Sequence, residues 1–206
     1  QNLMTTAQNT QNNNNAQYRM AIYTFDVAFN TIEGLTTDLN GARTAAGNIQ
    51  QLEVYSNNYL TKTNNNSDAD TNYDNAMTNI NATMPAPGNG TTLVGDKPQE
   101  VMFFVTDGVE DENVSGSRQE SVMNPGWCTT IKNRNIRIAV LYTTYNPLPT
   151  NSWYNSHVSS YQPNIGPTLQ TCASPGLYFE VNNTGDISGA LSKLFEQAVE
   201  SAYLSK

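Results

Sequence analysis

The residues best placed to do chemistry are carboxylates and one hydroxyl. Val101 to Gly108 reads Val-Met-Phe-Phe-Val-Thr-Asp-Gly, so Asp107 stands at the mouth of the most apolar strand-like run in the chain. Glu110, Asp111 and Glu112 follow closely. In an open α/β sheet, ligands bind beyond the carboxyl ends of the strands. Thr71 stands at the opening of a helical pattern, where a hydroxyl can cap the helix or bind a metal. A hydroxyl and a carboxylate converging on one rim make a hard, oxygen-only site suited to Mg²⁺. Spacing alone favours a plainer reading, in which Thr71 or Asp70 caps a helix and Asp107 makes a turn with Gly108.

The other reactive side chains are sparse. Cys128 and Cys172 lie 172 − 128 = 44 positions apart, neither in a C-x-x-C pair, and His157 is the single histidine, which argues against a Cys/His zinc site. Two readings of the cysteines stand: buried free thiols, or one disulfide worth about 4 kcal/mol. The even count and an exported-looking composition favour the bond and an oxidising compartment. His157 lies in a polar loop without a partner at a useful spacing, and Trp127 and Trp153 read as packing residues. There is no G-x-S-x-G elbow, P-loop or G-x-G-x-x-G. Catalysis is therefore not expected.

Several elements must position these groups. A helical remnant within Gln1 to Gln17 precedes a β-prone run, Arg19 to Phe25, and an alternating run, Val27 to Ile32. So short a connection makes these an antiparallel hairpin. Leu35, Leu39, Ala42, Ala46, Ile49 and Leu52 recur at helical spacing, as do Tyr73, Met77, Ile80 and Met84 after Thr71. Beyond Val101 to Val105 we expect a loop and a short helix through Trp127 and Ile131, then a buried strand, Ile136 to Tyr142. Pro147 to Pro175 reads as irregular with two short helical turns. A short strand, Leu177 to Val181, and a helix, Asp186 to Leu204 with Asp186 as its cap, complete the chain. Apolar strands alternating with amphipathic helices imply an α/β fold whose mostly parallel sheet is covered on both faces. One domain over residues 1–206 is expected.

Composition excludes some partners. With 18 acidic and 10 basic residues the net charge is −8, against nucleic acid and against polybasic attachment to a membrane surface. No apolar run approaches the roughly 20 residues of a spanning helix. The 29 Asn and 24 Thr residues beside only 14% charged residues resemble secreted or surface-exposed bacterial proteins, and the Asn tracts 12–15 and 64–66 read as exposed loops.

Phe103 to Gly108 (Phe-Phe-Val-Thr-Asp-Gly), preceded by Thr71 to Met77 (Thr-Asn-Tyr-Asp-Asn-Ala-Met), resembles a von Willebrand factor type A domain. The resemblance implies a doubly wound sheet with one antiparallel edge strand. It also implies that Thr71 and Asp107 belong to a metal-ion-dependent adhesion site. Trp127 to Lys132, Ile138 to Tyr142, Pro147 to Pro149, Trp153-Tyr154 and Cys172 to Phe179 are similar to the G-type (TadG-like) assembly proteins of tight-adherence (Tad/Flp) pili. That likeness supports the Cys128–Cys172 bond, since both cysteines fall inside the shared motifs. The family's D-x-S-x-S segment occurs nowhere in these residues. The expectation is therefore that the first central strand lies upstream of Gln1, with a membrane anchor before it. Mg²⁺ would then belong to the intact protein and not be held tightly by this chain. The implied role is a non-enzymatic binding or adhesion module in the cell envelope, periplasmic or surface-exposed. Its partners would be pilus-assembly proteins or a surface ligand. The alternative is a structural subunit with a degenerate metal site.

Overall fold

A computed structural model describes residues 1–50, 71–115, 117–182 and 184–204. Helix α1 (Asn2–Asn14) buries only Met4 and Ala7, and Asn15 ends it in the left-handed conformation at φ 47°. Asn tolerates that region better than most residues. Strands β1 (Met20–Phe25) and β2 (Phe29–Thr36) form an antiparallel hairpin. Its turn is held by the Asp26 carboxylate, which accepts from the Ala28 N–H at 2.7 Å. Asp38 then caps α2 (Leu39–Gly47), accepting from the Gly41 N–H at 2.9 Å.

Asn72 caps α3 (Tyr73–Thr83) by accepting from the Asn75 N–H. The most apolar run becomes β3 (Val101–Thr106), followed by β4 (Val109–Val114) and β5 (Ser117–Val122). Helix α4 (Gly126–Lys132) leads to β6 (Arg137–Thr143). Next come α5 (Ser152–His157), a single 3-10 turn at Gln162–Asn164, and α6 (Ile165–Cys172). Strand β7 (Tyr178–Val181) and α7 (Ile187–Leu204) complete the order, with the Asp186 carboxylate accepting from the Gly189 N–H at the start of α7.

Strands β3, β6 and β7 make a parallel sheet in that order. Its register runs from Val101 opposite Arg137 to Thr106 opposite Tyr142. Strand alternation sends successive side chains to opposite faces. Met102, Phe104, Ile138, Val140 and Tyr142 pack against Tyr73 and Met77 of α3, Ile131 of α4 and Leu169 of α6. Ala139 and Leu141 point the other way, onto Leu194 and Ala198 of α7. The sheet is therefore covered on both faces. Cys128 and Cys172, both buried, are disulfide-bonded and fasten α4 to α6.

Four expectations change. The strands do not form one sheet with an antiparallel edge: β1–β2 and β4–β5 are separate two-stranded sheets, and β1 makes no ladder with β3. Residues 109–122 form a hairpin and not a loop. Their strands are polar, so apolar periodicity does not reveal them. Strand β2 runs to Thr36 and α2 begins at Leu39, because Asp38 provides the cap; Val27 falls in the turn. Asn12 to Asn14 are exposed but helical. Leu52, Asn64 to Asn66 and Asp70 lie outside the described residues.

Candidate binding rim

The rim is built outward from Thr106, the last residue of β3. Tyr73 is fully buried, and its hydroxyl shares a short hydrogen bond with the Thr106 hydroxyl, which also accepts from the Gly108 N–H at 2.9 Å. Burial pushes the Tyr73 phenol far above its ordinary range. Gly108 is required twice over. Its φ is 82°, and a Cβ there would lie 2.3 Å from Ile165 Cγ2. The tight turn at Gly108 leaves Asp107 exposed at the carboxyl end of the sheet.

Neighbouring protein strips part of the hydration from the Asp107 carboxylate and raises its pKa, although the residue still reaches solvent. The Val109 N–H, 3.3 Å from Oδ1, opposes that shift.

Thr71 does not open the helix; Asn72 provides the cap and α3 begins at Tyr73. Thr71 instead pairs with Asp111 in an isolated antiparallel bridge, its carbonyl accepting from the Asp111 N–H at 3.1 Å. On the other side, the Asn72 N–H donates to the Asp26 carbonyl and Asn75 Nδ2 to the Val27 carbonyl. The start of α3 is thus gripped by the β1–β2 turn and by β4. Glu110 also faces it. This buried carboxylate accepts from the Ser121 hydroxyl at 3.0 Å. Desolvation raises its pKa; the Ser121 and Tyr73 N–H bonds oppose the shift, while Glu112 and Asp74 reinforce it. Asp74 accepts from Trp127 Nε1 at 2.5 Å, tying α3 to α4.

The β4–β5 hairpin stands on this rim and is held by charge. Asp111 lies opposite Glu120, and Asn113 opposite Arg118. The Arg118 guanidinium grips Asp111 with two donors, Nε to Oδ1 at 2.8 Å and Nη2 to Oδ2. Glu120 Oε1 lies 3.2 Å from the same Nε but accepts no hydrogen bond, because that N–H is directed at Asp111. Its contribution is Coulombic. The guanidinium also lies 5.3 Å from the centroid of Trp153, whose other neighbour, His157, stacks at 4.9 Å. Trp153 is therefore not a core residue: it is 39% exposed and forms an aromatic shelf beside the hairpin. His157 is exposed, with Nδ1 2.9 Å from the Trp153 carbonyl oxygen.

Among the described residues no group of three or more His, Cys, Asp or Glu could hold a metal ion. Asp111, which adjoins Thr71, already carries a guanidinium, and Glu110 a serine hydroxyl. Arg118, Glu120 and Ser121 escaped sequence reasoning as rim residues, whereas Glu110 and Asp111 stand where the sequence placed them, beside Asp107. The available signal was the turn dipeptide Ser115-Gly116 between two six-residue runs, each ending in Val.

No family model matches this chain, and no curated protein does. Among solved structures it is similar to the pilus adhesin SpaC from Lactobacillus rhamnosus GG, with a TM-score of 0.56 and 14% identity. That similarity covers 98% of this chain and 27% of the adhesin. A conserved hypothetical protein BatB from Bacteroides thetaiotaomicron also matches, with a TM-score of 0.49, 14% identity, 89% of this chain and 80% of that one. The chain shares the fold of a segment of a pilus adhesin. No helix among the described residues is long and apolar enough to cross a membrane.

Proposed function

We propose that this chain is a non-enzymatic binding module of the von Willebrand factor A type. In this reading it acts in adherence or in assembly of a Tad/Flp pilus, in the cell envelope, through the carboxyl rim of its sheet. The observation that carries the reading is the β4–β5 hairpin. It rises directly after Asp107 and is fastened by Arg118, so that the exposed Asp107 carboxylate, the partly exposed guanidinium and the aromatic shelf of Trp153 stand at the same end of the sheet. The fold likeness to a pilus adhesin supports it. Such a surface suits a protein partner or surface ligand, since mixed charge beside an aromatic gives both steering and an anchor.

Mg²⁺ would enter only with ligands outside these residues. Calorimetric titration of this chain should show no tight Mg²⁺ binding, and micromolar affinity would refute that part of the reading. The second reading, a structural subunit with a degenerate metal site, is favoured by one observation: Arg118 already neutralises Asp111. Thr71→Ala and Asp107→Ala, introduced into the whole protein in cells that make it, separate the two. The binding reading expects folded variants with reduced adherence or piliation. Unchanged adherence and piliation would assign the chain to the structural role.

A further inference from the structure

The opposite end of the parallel sheet holds a second feature. A cavity of about 420 Å³ opens where β3, β6 and β7 begin, within the size range of small-molecule clefts, roughly 300–1,000 Å³. Its walls include Arg137, the first residue of β6, together with Glu100, Gln99, Asn89, Asn135 and Ser201. Pro175 and Leu177 supply a small apolar floor.

Arg137 is the unusual member. Its guanidinium is half-buried and donates to two neutral acceptors, Ser201 Oγ at 2.7 Å and Gln99 Oε1 at 3.4 Å. No carboxylate forms an ion pair with it among the described residues, in a chain with 18 acidic side chains. Burial lowers its pKa. The neighbouring Glu100 is answered elsewhere: burial raises its carboxyl and the Arg19 charge draws it back. A guanidinium has five donors in a planar fork, and leaving it desolvated without an anion is costly. Its natural complement is a carboxylate held by parallel hydrogen bonds.

The remaining lining narrows the ligand. Asn89 and Asn135 are exposed members of the lining, and their side-chain amides can donate to and accept from a ligand at its mouth. Glu100 on the same wall accepts hydroxyl groups and disfavours a dianion such as phosphate. We propose that this cavity binds a monoanionic, hydroxyl-rich carboxylate of the uronic-acid class. Arg137 takes the carboxylate, and Asn89, Asn135 and Glu100 take ring hydroxyls. The site lies at the amino ends of the strands, so it stands or falls independently of the rim.

The test is an amide-resonance titration of the whole chain with D-glucuronate, D-glucose and inorganic phosphate. Glucuronate should shift resonances around Gln99, Asn135 and Arg137, and glucose should shift them far less. Arg137→Gln should weaken glucuronate binding about tenfold or more, the loss of one charge-assisted pair. Asp107→Ala should leave it unchanged. Absence of these shifts in the wild-type chain overturns the site whether or not the Arg137 variant folds. Phosphate acting as strongly as glucuronate overturns the assignment to a sugar acid.

Discussion

Among the described residues two antiparallel hairpins dock on the same element and are stabilised by different means. The β1–β2 hairpin grips the start of α3 through its turn, and its last strand residue, Phe25, packs on Tyr73 and Phe104 at centroid distances of 5.7 and 6.0 Å. The β4–β5 hairpin grips the same helix start through the Thr71–Asp111 bridge. Its strands carry Glu110, Asp111, Glu112, Arg118 and Glu120 where an ordinary hairpin has an apolar face. Both set apolar side chains on the core, Phe25 from the first and Val109 with Val122 from the second, but only the second adds a bidentate ion pair and a stacked guanidinium. Apolar support is insensitive to salt, whereas ionic support weakens as salt rises.

The strongest perturbation strikes the core on which both hairpins rest, where a disulfide joins α4 to α6. Replacing Cys128 and Cys172 by Ser should lower stability by about 4 kcal/mol, measured by denaturant unfolding, with little dependence on salt. Phe25→Ala tests the apolar hairpin. It should cost about 2 kcal/mol, the low end for a core aromatic because Phe25 is only partly buried, and the cost should be equal in low and high salt. Arg118→Ala tests the ionic one and should cost about 1–2 kcal/mol at low ionic strength, since it leaves Asp111 and the buried Glu120 without their cation. That cost should shrink in 1 M salt. A loss identical at both ionic strengths would show that the hairpin is held by packing after all.

The smallest effect concerns Glu110. Its pKa is raised in the folded state, so folding favours the protonated form. The carboxyl thus supports the fold below its unfolded pKa and loses that support as pH rises through the folded value. Glu110→Gln keeps an acceptor for Ser121 and removes the charge. It should raise the melting temperature at neutral pH, by under about 1 kcal/mol in stability, with the gain vanishing as pH falls below the ordinary glutamate range. A gain that grew in acid would reverse the sign of the argument.

The same contrast explains which features are legible in the amino-acid sequence. Strands β3 and β6 are apolar on both faces and announce themselves by composition, as does α7 by its 3.6-residue period. Asp107 was legible because a strand of that kind must end somewhere, and Gly108 marks the place. The β4–β5 hairpin was not legible, because its pairs are ionic and their partners are fixed only by register: Asn113 opposite Arg118 sets the guanidinium beside Asp111. Thr71 reads as a cap in the sequence where Asn72 provides it, for a related reason. Both residue types cap helices, and a one-residue difference at a helix start depends on tertiary neighbours, here the Asp26 and Asp111 backbones. Arg137 begins an apolar strand, so its cavity depends on how the Gly88–Asn89 and Ser174–Pro175 segments return to the sheet.

The disulfide has a mechanical meaning as well. Cys128 and Cys172 enclose all of β6, the central strand, in a covalent ring. Tension applied between the two chain ends would cross from Cys128 to Cys172 through sulfur and bypass the 44 positions between them. At roughly 3.4 Å per extended residue, that withholds about 150 Å of contour length from any stretched state. Oxidised molecules pulled singly should therefore come up short by that length against reduced ones, and β6 with its flanking helices would stay a tethered unit under load.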